Sequence, residues 1–358
     1  MNRTRLLRDI GQSLWLDNIT RDILDNGALR RYIDEYCVTG LTSNPTIFEH
    51  AIGNTGAYDT SIRSMAAAGK SGEALFIDLA LEDLRRAADL FRPAFDATEG
   101  VDGWVSMEVS PLLADDTAGS IAAAARIHRQ AGRPNLYVKI PGTPAGVPAI
   151  EESIYAGVPI NVTLLFSREQ YVAAAEAYLR GIERRIAAGR SPRVASVASL
   201  FVSRWDRAAG DAVPAELRNR LGLAIAGRTY RAYRELLASG RWRKLAAAGA
   251  RPQRLLWAST GTKDPKAPQT LYVEALAAPD TIDTIPEKTL HAFAEHGKLQ
   301  GAMPQDGGDA EAVLARFAQA GVDVDALALR LQREGARAFV KSWRALMERI
   351  DAKSEALA

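Results

Sequence analysis

The sequence predicts a closed barrel of parallel strands wrapped by helices, a (β/α)8 TIM barrel of the α/β class, on three observations. Short apolar or β-branched runs alternate with long segments of helical periodicity. Eight such runs can be counted. The chain, at 358 residues, holds the roughly 250 residues of one barrel with room for insertions. The runs are Ser13–Asn18, Val38–Ser43, Gly103–Ser110, Asn135–Ile140, Pro159–Phe166, Arg193–Val202, Arg254–Thr260 and Thr281–Thr284. Helical stretches between them include Thr20–Tyr36, Gly72–Phe95, Asp116–Ala131, Ser167–Ala188, Pro214–Leu237 and Pro268–Leu276, several opened by Ser, Thr or Asp and closed near Gly. The segment 46–99 is too long for one connection and is expected to hold two or three helices inserted after the second strand, beside the barrel mouth. A C-terminal helical extension is expected over 292–358. Within it Met303–Ala312 reads as a loop, and a last helix over Val324–Ile350 carries an apolar stripe of Ala326, Leu327, Leu331, Ala336, Phe339 and Leu346 that suits packing on the barrel. No linker separates domains, so 1–358 is expected to be one domain.

Composition narrows the function classes. Hydrophobic residues make up 47% of the chain, enough for a large core. Forty-five basic residues against 43 acidic ones leave a net charge of +2, far from the basic stripe that nucleic acids require, so no nucleic-acid partner is expected. No apolar run approaches the roughly 20 residues of a membrane span, and the charged start MNRTRLLRDIG does not resemble a signal peptide, so a cytoplasmic protein with no membrane partner is expected. The single Cys37 and four scattered histidines (His50, His128, His291, His296) contain no pair at metal-ligand spacing, and neither metal nor organic cofactor is expected. Monomer and homodimer both stay open.

Alternation along a strand sorts side chains into a lumen-facing and a helix-facing set. In NLYVKIPG, Leu136, Val138 and Ile140 form the apolar face, which leaves Asn135, Tyr137 and Lys139 pointing inward. In GWVSMEVSP the inward set is Trp104, Ser106 and Glu108. In PINVTLLF it is Asn161, Thr163 and Leu165, and SLWLDN places Asp17 opposite Leu14 and Leu16. A lysine and two carboxylates therefore converge inside one barrel, each late in its strand, where active sites of this fold form. A structural salt bridge is the alternative, and the inward Asn161, Thr163 and Ser199 weigh against it.

A lysine at its reference pKa of about 10.4 is neutral in only about one molecule in 2,500 at pH 7. Desolvation in an apolar barrel mouth favours the neutral amine, which can attack a ketone to give a Schiff base. The Schiff base then withdraws electrons as the neighbouring carbon–carbon bond breaks. Two carboxylates in unlike surroundings can divide the proton transfers, one at the departing water and one at the substrate hydroxyl beside the broken bond.

These residues resemble the transaldolase family. SLWLDNITRD, TGLTSNPTIF, EVSPLLADDT, NLYVKIPGT, GVPINVTLLFS and IPEKTLHAF are similar to that family's strand-end signatures, in order, from the first strand to the eighth. The resemblance implies a transferase that moves dihydroxyacetone from sedoheptulose 7-phosphate to glyceraldehyde 3-phosphate, giving erythrose 4-phosphate and fructose 6-phosphate, in the pentose phosphate pathway. It implies Lys139 as the Schiff-base lysine, Asp17 as the acid/base at the C4 hydroxyl, and Glu108 with Thr163 as holders of a water that relays protons. Asn44, Asn161 and Ser199 match residues that hydrogen-bond the dihydroxyacetone moiety, against the alternative of strand-end capping. Arg204 matches the phosphate-binding arginine, against the alternative of a surface arginine. The seventh strand departs from the family pattern. Where Ser-Phe-Arg would supply a second phosphate ligand, this chain has Ser259-Thr260-Gly261-Thr262-Lys263, so Ser259 and Lys263 are expected there unless Lys263 is simply solvated.

Two readings compete. A fructose-6-phosphate aldolase-like lyase would release dihydroxyacetone. Such enzymes resemble this chain in barrel and lysine, but they are shorter, carry glutamine where Glu108 sits and tyrosine where Phe201 sits. A non-catalytic sugar-phosphate-binding barrel is the other reading, and the intact Asp17, Glu108 and Lys139 set speaks against it.

Overall fold

The computed structural model describes residues 2–210 and 213–357. Met1, Asp211, Ala212 and Ala358, the last being the end of the expected extension, lie outside them. Helix α1 (Thr4–Asp9) leads into β1 (Ser13–Leu16), α2 (Arg21–Asp25), α3 (Ala28–Tyr36) and β2 (Val38–Leu41). The insertion is three helices, α4 (Pro45–Asn54), α5 (Asp59–Ala67) and α6 (Gly72–Ala97). Then follow β3 (Val105–Glu108), α7 (Thr117–Ala131), β4 (Leu136–Pro141), α8 (Gly146–Ala156), β5 (Ile160–Leu165), α9 (Arg168–Ala187), β6 (Ser196–Phe201) and α10 (Ser203–Ala209). The last third comprises α11 (Leu221–Ala238), α12 (Gly240–Ala247), β7 (Gln253–Ala258), α13 (Leu271–Ala275), β8 (Thr281–Ile285), α14 (Glu287–His296), α15 (Ala310–Gln319) and α16 (Val324–Leu357).

The strands pair in parallel in the order β2-β1-β8-β7-β6-β5-β4-β3. The ends of that row meet through a single bridge between Gly40 and Trp104, flanked by hydrogen bonds from Leu41 N to the Trp104 carbonyl and from Gly103 N to the Thr39 carbonyl, both 2.9 Å. Glycine is required at this seam. A Cβ on Gly40 would lie 2.7 Å from the Trp104 carbonyl and from the Trp15 ring, and the backbone contact cannot be relieved by a side-chain rotation. Gly40→Ala is therefore expected to cost about 3 kcal/mol of stability, the range of overpacking in a tight core. Urea unfolding with unchanged midpoint would show that the seam is looser than it looks.

Below the seam, inward parity fills the barrel. Trp104 stacks on Tyr137 at 4.0 Å and Trp15 lies 6.2 Å from the same ring. The Trp15 indole N–H donates to Asp102, which also accepts from the Thr39 hydroxyl, both at 2.8 Å. This plug closes the N-terminal end, so a ligand can enter only at the opposite mouth.

Several sequence expectations are corrected. Thr20–Tyr36 is two helices, because Gly27 adopts φ 75° between them. Pro214–Leu237 is a 3-10 turn (Ala215–Leu217) and then α11, broken at Asn219 with φ 58°. The Met303–Ala312 loop ends at Asp309, where α15 begins, and the last helix runs to Leu357. Leu165 was expected to face the lumen. The β5–β6 register shifts between Val162 and Leu165 as Leu164 takes φ 58°, and Leu165 pairs with helix-facing Leu200.

Asp283, on β8, faces the helix layer, since its neighbour Thr284 lines the lumen. It is fully buried, and among the described residues neither carboxylate oxygen has a hydrogen-bond partner. Burial pushes its pKa from the ordinary 3.8 up to about 7, against the nearby Thr260 hydroxyl, whose own bond goes to the Thr284 carbonyl at 3.1 Å. Below pH 4 the group is neutral in both folded and unfolded chains. Between pH 4 and 7 only the unfolded chain ionises, and the fold loses stability until both forms are charged. Asp283→Asn should gain nothing over wild type at pH 4 and up to about 4 kcal/mol above pH 7, from roughly three pKa units at 1.36 kcal/mol each. Urea unfolding at both pH values measures it, and a pH-independent difference would refute the assignment.

Candidate active site

Lys139 and Glu108 are register partners on β4 and β3. Lys139 Nζ lies 3.1 Å from Glu108 Oε2, with both side chains 5–7% exposed, and donates to the Ser43 carbonyl at 2.9 Å. Asp17 follows β1 by one residue. It stays in place because its N–H donates to the Ile285 carbonyl (2.8 Å) and its carboxylate accepts from the Thr42 hydroxyl (2.9 Å), which in turn meets Thr284 Oγ1 at 2.7 Å. Burial raises the pKa of Asp17 and of Glu108, and the Lys139 ammonium is the largest of the charges drawing each back. Both carboxyls are thus drawn toward proton exchange and away from permanent ionisation. The Thr163 hydroxyl, on β5, is fully buried and has no hydrogen-bond partner among the described residues.

A cavity of about 670 Å³ opens above these groups, lined by Asp17, Asn44, Lys139, Thr163, Ser199, Phe201, Arg204, Ser259 and Lys263 among others. Nine of the eleven residues singled out from the sequence therefore share one space. Glu108 lies beneath it, reached through Lys139. Asn161 also lies beneath. It is fully buried, its Oδ1 accepting from Ser199 Oγ at 2.7 Å and its Nδ2 donating to Ser106 Oγ at 3.2 Å. Asn44 caps α4 by accepting from Ile47 N at 3.1 Å. Its amide nitrogen has no hydrogen-bond partner among the described residues. Capping and ligand contact are compatible there.

The far side of the cavity is cationic. Arg204 sits 4.9 Å above the Phe201 ring and 5.8 Å from that of Phe339. Burial lowers its pKa, with Asp17 opposing the shift. No hydrogen-bond acceptor meets this half-buried guanidinium among the described residues. A planar donor fork so placed suits a doubly charged oxyanion. Ser259 takes φ 55°, with its hydroxyl 3.1 Å from Ser203 Oγ, and Lys263 lies close enough to Asp17 to lower that group's pKa.

Sequence reasoning missed Thr42 and Thr284, which orient Asp17, and the α16 residues Leu331, Glu334, Gly335 and Phe339 that roof the cavity. Thr42 stands inside the TGLTSNP motif and was available to it. Gly335 was not. Its role is visible only in space, where a Cβ would lie 2.9 Å from Leu164 Cδ2 and 3.1 Å from Arg204 Nη1.

Among the described residues no helix is long and apolar enough to cross a membrane, and no three His, Cys, Asp or Glu residues are grouped to hold a metal. Fold and cavity together define an eight-stranded parallel barrel whose mouth gathers one lysine and two carboxylates. The sequence profile described as Transaldolase/Fructose-6-phosphate aldolase matches residues 14–350. The chain is 44% identical over 358 residues to a protein named transaldolase from Thiobacillus denitrificans, covering 98% of this chain and 100% of the other. It is 45% identical over 355 residues to one of the same name from Thermobifida fusca, 96% of each chain, and 45% over 350 residues to one from Parafrankia sp., 95% of each. The chain belongs to the transaldolase/fructose-6-phosphate aldolase family. The match runs past the eighth strand into α16.

Proposed function

We propose that the chain is a transaldolase that transfers dihydroxyacetone from sedoheptulose 7-phosphate to glyceraldehyde 3-phosphate, in the non-oxidative pentose phosphate pathway. The observation that carries this reading is a buried lysine 3.1 Å from a carboxylate, in a cavity whose other wall holds a guanidinium that meets no acceptor among the described residues. In this reading Lys139 attacks the C2 ketone. Glu108 and Thr163 manage the water that leaves the carbinolamine, and the iminium nitrogen becomes the electron sink. Asp17 takes the C4 hydroxyl proton as the C3–C4 bond breaks and erythrose 4-phosphate departs. The dihydroxyacetone carbanion, held on Lys139, adds to the acceptor aldehyde, and Asp17 returns the proton. Hydrolysis of the Schiff base then frees fructose 6-phosphate. Arg204, with Lys263 and Ser259, takes the phosphate, while Asn44 and Ser199 bind the dihydroxyacetone hydroxyls, Ser199 being oriented by Asn161. The iminium supplies the electron sink that a metal or organic cofactor would otherwise provide. Substrates of this kind, and the absence of a membrane-crossing helix from the described residues, support a cytoplasmic location.

Borohydride trapping tests the reading. Incubation with fructose 6-phosphate and reduction should leave a dihydroxyacetone-sized mass on the peptide containing Lys139. In a parallel sample, erythrose 4-phosphate added before the reduction should discharge the Schiff base as sedoheptulose 7-phosphate and leave no adduct. Free dihydroxyacetone released without an acceptor would make the chain a lyase, and no adduct on Lys139 would remove the covalent mechanism.

A further inference from the structure

Helix α16 crosses the barrel mouth and buries the side chain of Gln332 against the strand ends. Gln332 is 7% exposed among apolar neighbours on the same helix, Ala328, Leu331 and Phe339. Its Nε2 donates to two backbone carbonyls, Gly142 and Leu164, both at 3.0 Å. The first lies just past the strand that carries Lys139. The second immediately follows Thr163.

Leu164 is where β5 departs from regular pairing. Its φ of 58° is a left-handed conformation that strains a non-glycine residue and persists only where the surroundings over-determine it. The surroundings do so here. The Gly142 N–H donates to the Thr163 carbonyl at 2.7 Å, and with the two bonds from Gln332 it closes a small ring around the Thr163–Leu164 peptide. Gly142 fits because it has no side chain; a Cβ there would sit 2.4 Å from Leu165 Cδ2. Above the turn, Gly335 lets α16 approach to van der Waals distance of Leu164.

We propose that Gln332 is a positioning residue for the Thr163 hydroxyl: by satisfying the Leu164 and Gly142 carbonyls it holds the left-handed turn beside Thr163, on the wall of the cavity that Lys139 also lines. This rests on Thr163 and Glu108 managing water in the Schiff-base steps. Gln332 touches no reacting atom. Of the phosphate ligands, Arg204 meets α16 about one and two turns past Gln332, at Gly335 and Phe339, and Lys263 lies on the loop after β7. The effect of Gln332 therefore falls on the rate of Schiff-base formation and hydrolysis rather than on sugar-phosphate affinity.

The test is quenched-flow borohydride trapping with fructose 6-phosphate on wild type, Gln332→Met, Thr163→Val, Leu164→Gly and the double variant Gln332→Met/Leu164→Gly, with folding checked by circular dichroism. Gln332→Met should slow adduct formation on the order of 10-fold or more, the scale of a small misplacement of a catalytic group, with KM for fructose 6-phosphate within about 2-fold. Glycine accepts the left-handed turn without strain, so the Gln332→Met loss should shrink in the Leu164→Gly background. Adduct formation at the wild-type rate, a loss seen in KM instead, or additive single effects would each overturn the proposal. If Gln332→Met does not fold, Gln332→Asn, whose amide is one methylene short, takes its place with the same criteria. A wild-type rate in Thr163→Val would instead overturn the underlying role of Thr163, and this inference with it. A slow Thr163→Val beside a normal Gln332→Met would sink the inference alone.

Discussion

Lys139→Met should leave no reducible adduct and lower kcat/KM for transfer by on the order of 10⁴-fold or more, since the whole covalent route passes through one nitrogen. Lys263 also reaches the cavity, but it sits on the loop after β7, away from the Glu108 carboxylate that faces Lys139 at 3.1 Å. It is not placed to substitute. Removing the ammonium also removes the largest influence that draws the Glu108 pKa down, so Glu108 should then take up a proton. That keeps the variant folded, because a protonated carboxyl avoids an unpaired buried charge. Normal transfer by a folded Lys139→Met protein would end the mechanism proposed above.

Asp17→Asn should separate two steps that the wild type runs together. The asparagine can still accept from Thr42, so the geometry at the end of β1 survives. It cannot take the C4 proton, and transfer should fall about 10²- to 10⁴-fold, the usual contribution of a positioned general base. Lys139 can still condense with fructose 6-phosphate. The reduced adduct should therefore carry the mass of the intact hexose phosphate in place of dihydroxyacetone. Because burial raises the Asp17 pKa, wild-type transfer should decline with falling pH earlier than an ordinary carboxylate would dictate, and the variant should lack that limb. A dihydroxyacetone-sized adduct accumulating at the wild-type rate would show that another group removes the proton.

Much of this site was legible because a strand's period of two is strict. Parity alone put Lys139, Glu108 and Thr163 inward, and the structure agrees for each. It failed at Leu165, where one residue of left-handed backbone at Leu164 reverses the faces, a conformation that no side-chain pattern encodes. Helix ends were less legible than strands. Gly27 and Asn219 break helices through positive φ, whereas other glycines, such as Gly335 and Gly222, lie inside helices where neighbouring backbone or side chains leave no room for a Cβ. Asn161 shows a further limit. Its strand and facing were predicted correctly, but its two hydrogen bonds inside the protein depend on Ser106 and Ser199 coming from neighbouring strands. Least legible was the roof, since Gln332 and Gly335 matter only through residues more than a hundred positions earlier.

That roof has a temporal consequence. All eight strands and Lys139 precede residue 286, so a nascent chain can pair its whole sheet before the segment that covers Arg204 exists. Helix α16 is 34 residues long and, at about 5–20 residues per second, takes roughly 2–7 s to synthesise. During that interval the barrel carries its lysine in an open mouth, without Gln332 on the β4 and β5 ends and without Phe339 beside the guanidinium. Competence for sugar phosphates thus arrives late and all at once, when the end of the chain docks on helices made near its beginning.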